Sequence, residues 1–218
     1  MPRPHILDLG CGTGELARRL APHAEAITAI DQSERMVIEA QALRGGNAPN
    51  ITWIVGRVED GLLSGPFSCA LAAESFHWFD WHALWPRLVE WLPSSRLVLV
   101  ERRELQSPWS DELASLIAAF STNQDFEPYE LLAELTSRRI VSVESRTVLG
   151  PDAFRQSIGD YITSIHSRNG FSRDRMSAEA ARQFDAAVRA AVSPYVTDGT
   201  LALSVETRAA WGRALSPA

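Results

Sequence analysis

The chain has 218 residues, 45% of them apolar and 22% charged, with 21 basic residues against 27 acidic ones for a formal charge of −6. That length and balance suit one globular domain, or one with a sizeable insertion, and argue against a disordered or fibrous chain. The negative balance gives no long-range pull toward phosphate backbones or anionic bilayers, and no apolar run nears the roughly 20 residues needed to cross a membrane, so neither nucleic acid nor membrane is expected as a partner.

There is no Lys, so every basic residue is an Arg. Cys11 and Cys69 stand far apart with no His or Cys at ligand spacing, and no metal is expected. No basic-then-apolar leader precedes the first structured segment, which reads as a cytoplasmic, reduced protein of undetermined oligomeric state.

In chain order, short apolar runs at 5–9, 26–30, 52–55, 69–73 and 97–100 read as strands, with helical patterns at 15–20, 33–43 and 81–92 between them. This alternation predicts βαβ units and a parallel sheet covered on both faces. Pro86 interrupts the 81–92 pattern, which requires a kink there or a later start. After residue 103 the patterns lengthen: helices at 109–122 and 128–138, a strand at 140–148, helices at 151–167 and 177–192, and a strand at 200–205. Arg168-Asn169-Gly170 reads as a turn after the fourth of these. No repeat or Pro-rich linker divides the chain, so residues 1–105 are expected to form a Rossmann-like core and 106–218 the remaining strands plus a helical lid of the same domain.

The strand at 5–9 runs straight into Gly10, Gly12 and Gly14. Glycines at a strand-to-helix turn let the main chain pass close to a ligand. Their spacing is G-x-G-x-G and not the G-x-G-x-x-G of dinucleotide sites, and Asp8 and Glu15 flank them. Those carboxylates would oppose a pyrophosphate and tolerate a sulfonium cation. Asp31 ends the second strand, at the edge where parallel sheets bind ligands, and suits the two hydroxyls of a ribose. Val58-Glu59-Asp60 follows the third strand, with Glu59 suited to an adenine amino group.

Asp8-Leu-Gly-Cys-Gly-Thr-Gly14, Asp31 and Val58-Glu59-Asp60 resemble, in order and spacing, the cofactor motifs of class I S-adenosylmethionine (SAM) dependent methyltransferases. Glu74-Ser-Phe-His-Trp-Phe-Asp80 resembles the small-molecule, trans-aconitate-methyltransferase-like branch of that family. The resemblance is strong over about the first 105 residues and holds in outline beyond.

It implies a doubly wound, mostly parallel seven-stranded α/β sheet with an inserted helical lid. It also implies that Gly10, Cys11 and Gly12 line the methionine part of SAM, that Asp31 binds the ribose, that Gln32 and Met36 flank the adenine, and that Val58 and Glu59 meet its edge. Asp8, Gly14 and Glu74 complete the cofactor set, with Glu74, Ser75 and His77 bordering methyl donor and acceptor. Members usually carry a helix before the glycine strand that covers SAM, whereas Met1 stands four residues ahead of it here, so a pocket short of part of its cover is expected. The Pro-Gly-Gly turn common before the fifth strand is Pro93-Ser94-Ser95.

His77 fits a general base, or else a packed, hydrogen-bonded core histidine. Trp78 fits an acceptor contact, while Trp81, Trp85 and Trp91 fall on one apolar helix face and read as core. His166 and Arg168, with Tyr161, Asn169, Arg173 and Arg175 around them, read either as a lid that grips a small, acidic acceptor or as a solvated helix end. The expected reaction moves a methyl group from SAM to an O, N or C nucleophile of a small molecule, with S-adenosylhomocysteine as product. The alternatives are a non-catalytic SAM-binding or partner-binding protein and an NAD-dependent oxidoreductase.

Overall fold

The computed structural model describes residues 3–123, 129–167, 171, 173 and 175–216. The chain forms two compact units, one of Met1–Arg102, Tyr129–Val148 and Thr207–Ala218, the other of Arg103–Pro128 and Leu149–Glu206.

Seven strands make one sheet: β1 (His5–Leu9), β2 (Ala26–Asp31), β3 (Ile51–Val55), β4 (Cys69–Ala73), β5 (Arg96–Glu104), β6 (Val141–Ser157) and β7 (Thr200–Ala214), in the order β3-β2-β1-β4-β5-β7-β6. The pairs β1/β2, β2/β3, β1/β4 and β4/β5 are parallel, and Asp8 of β1 sits opposite Ala29 on one side and Leu71 on the other. Strand order therefore reverses at β1, and in an open parallel sheet the crevice beyond the strand ends at such a reversal is where ligands bind.

Within the first unit, alternate residues of β1 serve opposite faces. Leu7 and Leu9 pack with Leu84, Leu88 and Trp91 of α3 (Trp81–Trp91) and with Leu131 and Leu135 of α5 (Leu131–Ser137). Ile6 turns the other way, to Ala17 of α1 (Glu15–Leu20), with Ile27 and Ala29 of β2 beside it. A strand covered on both faces must be apolar at successive positions, and this is why its sequence is a run and not an alternation. The remaining helix of this unit, α2 (Glu34–Ala42), starts at Ser33, whose hydroxyl accepts from the Met36 amide.

Pro86 lies inside α3 without delaying its start. The helix begins at Trp81, where the Asp80 carboxylate accepts from the amides of His82 and Ala83, and Leu84, Leu88 and Trp91 are all buried along one side. Burial of three large side chains, at about 1.5–3 kcal/mol each, outweighs the roughly 3 kcal/mol cost of an internal proline.

The second unit holds α4 (Ser110–Phe120), α6 (Ile158–His166) and α7 (Ala178–Val192) around Phe184, Ile165, Val188 and Leu201. Its buried Trp109 indole donates to Tyr161 Oη at 2.9 Å.

The largest departures from the sequence-based boundaries are here. Residues 151–157, expected to be helical, belong to β6, and β7 runs to Ala214 instead of ending near 205. Close approach of main chains explains both. A Cβ on Gly150 would stand 2.9 Å from the Val205 carbonyl, and one on Gly212 would stand 2.0 Å from the Ser142 carbonyl. Cross-strand pairing decides the conformation of these segments, and local propensity does not reveal it. Among the described residues no helix is long and apolar enough to cross a membrane.

Candidate functional site

The loop from β1 to α1 turns through three left-handed glycines: Gly10 at φ +66°, Gly12 at +54° and Gly14 at +70°. They need glycine for different reasons. A Cβ on Gly10 would lie 2.6 Å from Ser75 Cβ, and one on Gly14 would lie 2.2 Å from the Trp53 ring, so both are pinned by packing behind the loop. A Cβ on Gly12 would meet nothing within 4 Å. The main chain at Gly12 thus borders open space, and that is the side from which a ligand can reach it.

Asp31 holds this loop in place. Its Oδ2 accepts from the Gly12 amide at 2.8 Å and its Oδ1 from the Ser33 amide at 2.9 Å, while the Cys11 amide donates to the Ile30 carbonyl at 3.0 Å. Each carboxylate oxygen accepts more than one hydrogen bond, so Asp31 retains acceptor capacity at the strand edge. Gln32 and Met36 lie just beyond it, both exposed.

Asp8 sits beneath the loop and not in the open crevice. It is 3% exposed, one oxygen has no hydrogen-bond partner, and its pKa is raised to about 7. Burial is the main cause; the Ala17 amide hydrogen bond works against it and the nearby Asp31 charge adds to it. Burial likewise pushes the Cys11 thiol far above its usual range, which leaves it an unreactive packing group.

Three further expectations about side chains change. Val58 is 2% exposed and belongs to the core under α3, so it offers a ligand only its main chain. Glu59 is committed to structure: Oε1 accepts from the Asp80 amide at 2.8 Å, ahead of α3, and Oε2 faces Arg57 Nε at 3.5 Å. Ser75 is buried, and its hydroxyl donates to the Leu9 carbonyl at 2.6 Å, which ties the end of β4 to the end of β1. It shapes the site from behind and does not reach an acceptor.

Glu74 is a non-glycine residue at φ +54° at the end of β4. Such strain persists only where neighbours enforce it, and it concentrates at functional sites. Here β5 enforces it, since the Glu74 amide donates to the Val100 carbonyl at 2.9 Å and the Glu74 carboxylate accepts from the Arg102 amide. His77 follows in a 3-10 turn (Phe76–Trp78), reaching solvent with its ring 5.2 Å from that of Trp78, itself 46% exposed. Partial desolvation holds the His77 pKa below the usual histidine value, so the ring is neutral at pH 7.

Among the described residues after Tyr161, the side chains that the sequence offers to an acceptor are spent inside the second unit. Tyr161 is fully buried. His166 is 8% exposed with both ring nitrogens engaged, Nδ1 to the Phe171 carbonyl and Nε2 to Asp185, each at 2.6 Å. Arg173 donates to the other Asp185 oxygen at 2.8 Å. His166 is therefore an internal clamp of the second unit with no nitrogen left for an acceptor. Arg168 and Asn169 lie outside the described residues.

Sequence reasoning passes over Glu101, although it follows the apolar run of β5 in the way that Asp31 and Glu74 follow theirs. Its carboxyl is raised above the usual range by burial first, then by the charges of Glu74 and Glu130, against the pull of Arg208. Asp31 and Glu74 give the strand-end region of this unit its negative charge, while Asp8 and Glu101, whose carboxyls burial holds above the usual range, add less; the balance favours a cationic ligand and opposes a diphosphate. Among the described residues no group of three or more His, Cys, Asp or Glu is placed to hold a metal ion.

Residues 6–94 match the family model described as "Methyltransferase domain". Among curated proteins, an uncharacterized methyltransferase of Mycobacterium tuberculosis strain H37Rv is 31% identical over 115 residues, 51% of this chain and 46% of that one. The chain spans less than half the length of the curated relatives it matches. Among solved structures, a protein of Bacillus halodurans C-125 assigned as a methyltransferase aligns with a TM-score of 0.61 at 15% identity, covering 98% of this chain and 93% of that one. Geranyl diphosphate C-methyltransferase of Streptomyces coelicolor A3(2), solved with Mg2+, geranyl diphosphate and S-adenosylhomocysteine, aligns at 0.51 and 15% identity over 98% of this chain and 73% of that one. At such identities the structural likeness is one of fold. Residues 6–94 are thus similar in sequence to a methyltransferase domain, and the chain has a fold that solved methyltransferases share.

Proposed function

We propose that this chain is a SAM-dependent methyltransferase acting on an O, N or C nucleophile of a small molecule. The observation that carries the reading is the Asp31 carboxylate at the end of β2, bonded to the Gly12 amide of a glycine loop whose outer side is open. Asp31 accepts from the ribose hydroxyls, the Gly10-Cys11-Gly12 main chain lies along the methionine portion, and exposed Gln32 and Met36 flank the adenine, which the Val58 main chain meets at its edge. Gly14 and Asp8 support the loop from below, and Glu74 stands at the border between cofactor and acceptor. The acidic surroundings fit a ligand carrying a sulfonium. SAM supplies an already activated methyl group, so the protein's main contribution is alignment for in-line displacement.

His77, neutral at pH 7 and next to Trp78 beyond β4, takes the acceptor's proton when the acceptor needs a base. The similarity of the 74–80 stretch to trans-aconitate-methyltransferase-like enzymes supports a small acceptor that carries an acidic group.

Calorimetric titration of SAM, S-adenosylhomocysteine and NADH into the purified chain tests the reading. Micromolar binding of the first two without NADH is expected. NADH binding in their place would establish the oxidoreductase alternative. Tight SAM binding with no turnover on a broad acceptor panel would establish a non-catalytic binder.

A further inference from the structure

A cavity of about 250 Å³ opens in the first unit between Leu99 and Glu101 of β5, Arg146 and Val148 of β6, Arg208 of β7, and Glu130 just before α5. Its volume is just below the usual range for small-molecule sites, roughly 300–1,000 Å³, which suits an acceptor no larger than an amino acid. Its wall carries both signs of charge, Glu101 and Glu130 with Arg146 and Arg208, and Arg208 pulls electrostatically on Glu101. Glu101 is half-buried, and no hydrogen bond to its carboxylate is found among the described residues. Arg146 is exposed and makes no ion pair or hydrogen bond among them. Glu130 spends one oxygen on the Ala133 amide that opens α5. The cavity also adjoins the proposed methyl-transfer site, because Glu101 lies beside Glu74 across the β4/β5 pair: Ala73 pairs with Val100, and the Glu74 carboxylate accepts from the Arg102 amide.

Resting on the methyltransferase reading above, we propose that this cavity is the acceptor subsite and takes a small zwitterionic amine, its anionic group held by Arg146 and its nitrogen by Glu101. A lone carboxylate would leave the half-buried Glu101 with only the nearby charge of Arg208, and a lone amine would leave Arg146 unused; a molecule carrying both charges meets both. The ammonium group must lose a proton before it can react; the lone pair this frees then forms the N–C bond to the methyl carbon while the C–S bond of the sulfonium breaks, with its electron pair staying on sulfur. The Glu101 carboxylate takes that first proton, and the methylated nitrogen leaves as an ammonium.

The test compares the intact chain with Glu101→Gln and Arg146→Met, each saturated with S-adenosylhomocysteine. Binding is read by saturation-transfer NMR for glycine, β-alanine and 4-aminobutyrate, with acetate and propylamine as single-charge controls. At least one amino acid is expected to bind at least tenfold more tightly than either control. Each substitution is expected to weaken that binding at least tenfold while leaving S-adenosylhomocysteine affinity within twofold. Equal binding of the controls, insensitivity to both substitutions, or no amino-acid binding to a chain that holds S-adenosylhomocysteine would overturn the acceptor assignment and leave the methyltransferase reading standing. Failure of S-adenosylhomocysteine itself to bind the intact chain would overturn both.

Discussion

Replacing Asp31 with alanine separates the cofactor claim from mere ancestry. The substitution removes the acceptors of the Gly12 amide at 2.8 Å and the Ser33 amide at 2.9 Å, together with the lone pairs assigned to the ribose. Hydrogen bonds to a charged group are worth about 1.5–3 kcal/mol when buried. Because both of these are only partly buried, water replaces much of what is lost within the protein, and the folding cost should be about 2 kcal/mol. The ribose contacts are sequestered once the cofactor is bound, so their loss should cost binding about 1.5–3 kcal/mol, or roughly 10- to 150-fold in Kd. Calorimetry with S-adenosylhomocysteine reads that change, and a thermal melt confirms that the variant is folded at the titration temperature. A folded Asp31→Ala chain that binds within twofold of the original would refute the assignment of Asp31 to the ribose.

Three other outcomes follow from local geometry. Asp8 has a folded-state pKa of about 7 against 3.8 for an ordinary aspartate, so the folded chain holds this proton more tightly than the unfolded one. Its stability contribution is fully present below about pH 4 and is lost as pH rises to about 7, up to about 4 kcal/mol in all. Asp8→Asn should therefore gain in melting temperature relative to the original chain between pH 5 and pH 8; a constant difference across that range would refute the burial argument. Gly10→Ala places a methyl 2.6 Å from Ser75 Cβ at a φ of +66°, and should destabilise by about 2–4 kcal/mol. Adding Ser75→Gly should restore part of that loss, and denaturant titrations showing no recovery would mean that Ser75 is not the obstacle. His166→Phe keeps the packing against Phe184 but leaves the Phe171 carbonyl and the Asp185 carboxylate without their shared donor, at a cost of about 2–3 kcal/mol by urea denaturation.

Much of the parallel part of the sheet was legible in the sequence because its signals are local. Apolar runs bounded by glycine or acid locate β1, β2 and β4 to within a residue, since strands buried on both faces have no freedom to alternate. Three glycines after such a run force a turn whose main chain is open to a ligand, and an acid at the end of the next strand must reach the same edge, because β1 and β2 are parallel and in register from His5–Ala26 to Leu9–Ile30.

What the sequence could not decide is which way each side chain spends its polar atoms. Ser75, Glu59 and His166 all look available in the linear chain, and only the fold brings up the Leu9 carbonyl, the Asp80 amide, and the pair formed by Asp185 and the Phe171 carbonyl that occupy them. Likewise β6 and β7 are long because two distant segments pair, and their locally ambiguous residues follow that pairing. The cavity that joins Glu101 to Arg146 depends on the order β5-β7-β6, which brings residues 45 positions apart to one wall, and no local pattern encodes that distance.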